Sequence, residues 1–201
     1  MSRDTFIAAG VFALGVALVG GYAISQSASP AFAAEDGPGP NLVIEVAGST
    51  TGKIIIDLLP DVAPKHVAQI TALAGQGAYN DVVFHRVIDG FMAQTGDVQY
   101  GKAGGTPEAG MGGSDLPDLP AEFSAETFDR GVVGMARSAD PDSANSQFFI
   151  MFAPAPHLDG QYTIVGRVVE GMDVVDALKK GDGANGEVVG PDSMATVTVA
   201  P

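Results

Sequence analysis

The chain has no cysteine, and its 201 residues carry only ten basic side chains against 24 acidic ones. Without cysteine there is no disulfide, zinc-thiolate site or thiol nucleophile. The formal net charge of −14 is spread along the chain rather than gathered in a tail. It argues against nucleic acid, whose phosphates it would repel, and against docking on anionic lipid through a basic face. Histidine is scarce too: His66, His85 and His157 are dispersed, with no carboxylate cluster at ligand spacing, so no metal and no other cofactor is expected. Internal repeats and coiled-coil heptads are also missing. One globular domain with an appendage, expected to be monomeric, is what remains.

Long hydrophobic runs are rare, and the one present comes first. Met1-Ser2-Arg3-Asp4 leads into the uncharged residues 6–24, followed by a Ser/Ala/Pro-rich stretch over 25–34. The run exceeds the usual signal-peptide core of roughly 7–15 residues and approaches the ~20 that span a bilayer as a helix. Ala31-Phe32-Ala33 is a small-x-small site suited to cleavage before Ala34. Residues 1–33 therefore read as a signal peptide or an N-terminal membrane anchor. With Arg3 inside and Glu35-Asp36 outside, both readings carry the domain across the membrane. The expected location is periplasmic or otherwise exported, soluble after cleavage or tethered through residues 6–24. Residues 34–40 form a Gly/Pro linker, and the domain occupies 41–201.

Within the domain, residues 42–46 and 53–59 flank a Gly-Ser-Thr-Thr-Gly turn and predict a hairpin. Ala63-Pro64 opens a helix, since proline presets φ and lacks only an amide hydrogen that a first turn leaves unpaired. Val67, Ile70 and Ala74 recur at helical spacing until Gly75 and Gly77, and His66 on this helix is expected to be solvated. Residues 81–88 and 91–94 predict strands across the Asp89-Gly90 turn. Residues 96–120, rich in glycine and proline, read as a long ordered loop of the kind that serves binding. Strands follow at 131–136, 146–152 and 162–169, then a short amphipathic helix after Gly171 that stops at Gly181, and a closing strand through Val197 and Val199. Alternation over 147–151 sends Phe148 and Ile150 to one side and Gln147, Phe149 and Met151 to the other. Many strands with two helices predict a mainly all-β barrel, closed so that few edges stay exposed.

The stretch with chemistry in it is 84–97. It places a guanidinium at Arg86 and a carboxamide at Gln94 around Phe91 and Met92, which offer hydrogen-bond donors beside an apolar wall for a small ring. Phe84-His85-Arg86-Val87-Ile88, Gly90-Phe91-Met92-Ala93-Gln94 and Gly96-Asp97 resemble the signature of the cyclophilin-type peptidyl-prolyl isomerases. Ser146-Gln147-Phe148-Phe149-Ile150, Leu158-Asp159-Gly160 and Val165-Gly166-Arg167-Val168 are similar to the family's second half in order and spacing.

The resemblance implies a closed antiparallel eight-stranded β-barrel capped by two α-helices, with catalysis of rotation about Xaa-Pro bonds. Its substrates would be proline-containing unfolded or flexible polypeptides, here proteins folding after export. Arg86 would be the key catalytic residue and Gln94 would hold a substrate carbonyl. Phe91, Met92, Phe149 and Leu158 would form the proline pocket, with Gln147, Tyr162 and the backbone near Ala136-Arg137 lining the groove. His85 would serve packing or hydrogen bonding, because the reaction transfers no obligatory proton. The chain has no tryptophan; His157 stands where many animal cytosolic members carry one, which implies weak binding of cyclosporin. Two other readings stay open on the residues alone: a proline-binding chaperone module without turnover, and an unrelated secreted barrel for a small ligand. Client proteins and the residue preferred before proline are not written in the sequence.

Overall fold

The computed structural model describes residues 35–103, 106–183 and 185–201. The segment expected to be a signal peptide or anchor, residues 1–33, lies outside the described residues. Among the described residues, no helix is long and apolar enough to cross a membrane.

Strands β1 (Asn41–Ala47) and β2 (Gly52–Leu58) form the expected hairpin, in register from Asn41 opposite Asp57 to Val46 opposite Gly52. Their alternation buries Leu42, Ile44, Val46, Ile54, Ile56 and Leu58 on one face. Helix α1 (Pro64–Gly75) follows, entered through Ala63 and proline as predicted. Then come β3 (Val82–Val83), β4 (Arg86–Ile88), β5 (Met92–Thr95), β6 (Val132–Met135), β7 (Phe148–Met151) and β8 (Ile164–Glu170). Helix α2 (Met172–Ala177) and β9 (Ser193–Ala200) complete the order. Helix α2 is shorter than its hydrophobic pattern suggested, because Leu178 is already extended, at φ −51° and ψ 138°.

Among the described residues nine strands make one antiparallel sheet, in the order β3-β9-β1-β2-β8-β6-β7-β5-β4. Among the described residues the fold is mostly β with two α-helices, as expected, and the sheet is a curled half-barrel of nine strands rather than a closed barrel of eight. The difference arises in the segment predicted as one strand over 81–88. It breaks at Phe84-His85: β3 pairs with β9 at one edge of the sheet, and β4 pairs with β5 at the other. Between them the backbone turns to another partner, with Phe84 N–H donating to the Asp192 carbonyl and Val188 N–H donating to that of His85. One short piece of chain thus supplies both edges, and the sheet curls until they lie two residues apart in sequence. The outer edge of β4 is covered rather than open, since Val87 N–H donates to Gly186 and Gly181 N–H to Val87.

The curled sheet and α1 enclose the main core, built on Leu42, Ile44, Ile54, Ile56, Ile70, Phe84, Phe148 and Ile150 among others. A smaller cluster lies on the other face of β5 and β7 and contains Met92, Phe128, Val132, Phe149, Met151, Ala155, Leu158 and Ile164. The split within β7 follows the predicted alternation.

One expectation fails on α1. His66 is fully buried rather than solvated, with Nδ1 2.6 Å from the Glu122 carboxylate. The same carboxylate accepts the Lys65 and His66 backbone N–H groups, satisfying orphan donors of the helix's first turn. Burial raises the Glu122 pKa, but the His66 ring and these two amides outweigh it, so its net direction is downward.

Candidate active site

The β4–β5 hairpin sets Arg86 directly opposite Gln94, and β5 sets Gln94 opposite Phe149 on β7. Continuing across the sheet, Phe149 lies opposite Gly134 on β6. Residues opposite one another in antiparallel strands share a face. A single row across four strands therefore runs from a cation through an amide and an aromatic ring to a glycine. The glycine has a steric reason: a Cβ there would come within 2.6 Å of both the Phe128 and Phe149 rings. Its absence lets those rings stack with centroids 5.7 Å apart.

A cleft of about 350 Å³ opens over this row, lined by Arg86, Phe91, Met92, Gln94, Ala136, Arg137, Phe149, His157, Leu158 and Tyr162. Every site residue expected from the sequence is in it except Gln147. That side chain lines an adjoining cavity of about 480 Å³, with Gln94, Ala136 and Arg137 common to both. The floor is apolar and nearly dry, formed by Met92, Phe149 and Leu158. Tyr162 stands edge-on to Phe149 with centroids 5.8 Å apart, and the Arg137 guanidinium lies 4.4 Å over the Tyr162 ring. On the opposite side His157 stacks on Phe91, with ring centroids 5.8 Å apart and planes 26° apart.

The polar wall is a ladder. Arg86 Nε donates to the Asn185 carbonyl at 2.8 Å, and Nη1 donates to Gln94 Oε1 at 3.2 Å. Gln94 Nε2 donates to Gln147 Oε1 at 2.9 Å. Two anchored nitrogens fix the plane of the guanidinium, while Nη2 makes no hydrogen bond among the described residues. The site thus offers a held cation, an amide with a second N–H and an apolar floor. His85 is buried beside Arg86, and neither ring nitrogen meets hydrogen-bond geometry with a partner among the described residues.

Sequence reasoning missed Phe128 and Gly134. Phe128 sits in a polar stretch without alternation and is brought under the cleft by its backbone N–H donating to Asp159 Oδ1 at 2.8 Å. A lone glycine in a strand is a weak cue to close approach. It was the only signal available for Gly134.

The family model for cyclophilin type peptidyl-prolyl cis-trans isomerase/CLD matches residues 42–199. A Brucella suis protein named "Probable peptidyl-prolyl cis-trans isomerase" is 60% identical over 152 residues, spanning 74% of this chain and 78% of that protein. Peptidyl-prolyl cis-trans isomerase-like 3 of Gallus gallus is 40% identical over 129 residues, spanning 64% of this chain and 77% of its own. Among solved structures, a cyclophilin from Hirschia baltica superposes with a TM-score of 0.64 at 28% identity, covering 79% of this chain and 73% of the other. A cyclophilin-type isomerase of Cryptosporidium parvum, crystallised in the presence of the dipeptide Ala-Pro, shares the fold. Its TM-score is 0.68 at 24% identity, over 80% of this chain and 99% of the other. With both sequence blocks folded into one cleft and the match running nearly the length of the described domain, the chain belongs to the cyclophilin-type peptidyl-prolyl cis-trans isomerases.

Proposed function

We propose that this isomerase turns Xaa-Pro bonds in exported polypeptides by gripping the proline ring on Met92, Phe149 and Leu158 while Arg86 stabilises the twisted amide. Rotation must break C–N resonance, a barrier of about 18–20 kcal/mol, and no bond is made or lost. A catalyst for it needs a grip and well-placed donors rather than a nucleophile or metal. As the amide twists, its nitrogen gains a lone pair, and a guanidinium hydrogen bond to that nitrogen or to the adjoining carbonyl favours the twisted state. Each ~1.4 kcal/mol of such preference is worth about tenfold in rate. Gln94 holds a substrate backbone carbonyl through its remaining N–H. Phe91 and Tyr162 flank the ring, and Ala136, Arg137 and Gln147 line the path of the chain on the polar side.

The observation that carries this reading is the held guanidinium: Nε and Nη1 are occupied by Asn185 and Gln94 at one end of an apolar floor. Replacing Arg86 with lysine keeps the charge but removes the fork. Arg86→Lys is expected to lose about 10–100-fold in rate by exchange NMR on a short Xaa-Pro peptide; full activity would refute the role given to the fork.

Residues 1–33 serve export, as a cleaved signal or an anchor, and the 41–201 domain works as a monomer beyond the membrane on proteins still folding. The N-terminal composition supports this placement, and intact mass of the exported protein distinguishes cleavage before Ala34 from retention. His157 in the tryptophan position makes cyclosporin a weak ligand; a nanomolar Kd by titration would contradict that.

A further inference from the structure

The loop that closes the polar end of the cleft belongs to none of the nine strands, and one buried side chain gathers its two ends, at 99–100 and 110–112. The Asp97 carboxylate is fully buried and accepts four backbone N–H groups. Gln99 and Tyr100 donate to Oδ1 at 3.0 and 2.9 Å, and Gly110 and Gly112 donate to Oδ2 at 2.7 and 2.9 Å. Hydrogen bonds to an ionised acceptor are roughly twice as strong as neutral ones. Gly110 has φ +99°, and a Cβ on it would come within 2.8 Å of the buried His85 ring, so the loop is pressed against the segment that carries Arg86.

Held this way, Gly110 and Gly112 turn their carbonyls to Gln147, whose Nε2 donates to them at 2.9 and 2.7 Å. Both N–H bonds of that carboxamide are then used, and its Oε1 faces the other way, where Gln94 Nε2 donates to it at 2.9 Å. Gln94 Oε1 is left facing Arg86 Nη1 at 3.2 Å. A carboxamide has two ends of nearly equal shape and opposite polarity, so only a neighbour that distinguishes donor from acceptor fixes which way it points. In this ladder the two glycine carbonyls make that distinction at one end and the donor-only Arg86 guanidinium at the other, and the two carboxamides between them agree only while both ends hold.

We propose that Asp97 is a positioning residue for the isomerisation, acting through Gly110, Gly112 and Gln147 on the orientation of Gln94. When the loop is released, Gln147 loses the acceptors that tell its ends apart, and Gln94, left with Arg86 alone to orient it, turns over more often. Its N–H groups then oppose the donors of Arg86, and its oxygen opposes the substrate carbonyl. The inference rests on the roles given above to Arg86 and Gln94.

The test is Asp97→Asn in the full chain, alone and combined with Gln94→Ala, with kcat and KM measured separately on an Xaa-Pro peptide. Asp97→Asn is expected to lower kcat about tenfold with KM changed less than about threefold. In the Gln94→Ala background the same change adds less than about twofold, because the residue through which it acts is gone. The side-chain carboxamide resonances of Gln94 and Gln147 shift, while backbone signals outside 97–112 stay in place. Equal losses in both backgrounds, or no loss from Asp97→Asn, would overturn the proposal. If Gln94→Ala alone keeps the full rate, the underlying reading of the site fails instead. Should Asp97→Asn not fold, the native chain decides: couplings across the hydrogen bonds from Gln147 Nε2 to the Gly110 and Gly112 carbonyl carbons support the relay, and their absence overturns it.

Discussion

The two faces of β7 differ in what closes over them. Phe148 and Ile150 point into the main core, where Tyr79 meets Phe148 edge-on at 5.8 Å and packing is complete on every side. Phe149 and Met151, alternating with them, enter the smaller cluster, whose outer members Phe91, Leu158 and Tyr162 line an open cleft. The same four-residue strand therefore supplies the core through one face and the apolar floor of the cleft through the other. The lesson is that burial alone does not separate core from site, since Phe149 is only 6% exposed. What separates them is whether a further layer of protein follows.

The largest effect should come from breaking the closed side. Phe148→Ala is expected to cost about 3–5 kcal/mol in urea unfolding while leaving the rate per folded molecule within about twofold. Phe149→Ala removes the same ring from the open side, where collapse and solvent relieve part of the cavity. It should cost about 1–3 kcal/mol and raise KM for Xaa-Pro peptides about tenfold. Equal stability losses with no change in KM would erase the distinction. A smaller effect is expected where the open side is made too full: Gly134→Ala forces Phe128 and Phe149 apart, costing about 1–3 kcal/mol and raising KM without a matching fall in kcat.

The smallest effect sharpens the comparison by pH. Burial lowers the His85 pKa and outweighs the opposing pull of the Asp97 charge; Arg86 lowers it further, and the Val83 carbonyl raises it least. The unfolded chain therefore takes up this proton at higher pH than the native one. Stability is full above about pH 6.5 and declines as pH falls from there towards the depressed native value. His85→Gln should flatten that slope in urea midpoints. The rate per folded molecule should not follow the same pH curve, because the reaction moves no obligatory proton. A slope unchanged in His85→Gln would assign it to other groups.

Much of this was legible in the chain. The hairpin, the proline-entered helix and the alternation over 147–151 are local patterns, and local pattern decides them. The residues of the cleft were named through resemblance, and all but Gln147 line one opening. What escaped is set by distant partners. His66 looks like a surface residue until Glu122, 56 residues on, is brought against it. The strand over 81–88 reads as continuous, because the 185–192 segment that takes its backbone hydrogen bonds at Phe84-His85 gives no sign of doing so. Phe128 carries no periodic signal, and its place under the cleft depends on Asp159. Asp97 belongs to the resemblance, but the sequence gives it no task until the four amides converge on it.

If the apolar floor holds the ring and Arg86 lowers the barrier, as proposed, binding and turnover can be separated. The most direct test is Arg86→Ala in the full chain, with exchange NMR for the isomerisation rate and titration for peptide affinity. The rate is expected to fall by about 100-fold or more, with affinity changed by less than about fivefold. An unchanged rate, or a rate loss wholly explained by lost affinity, would contradict it.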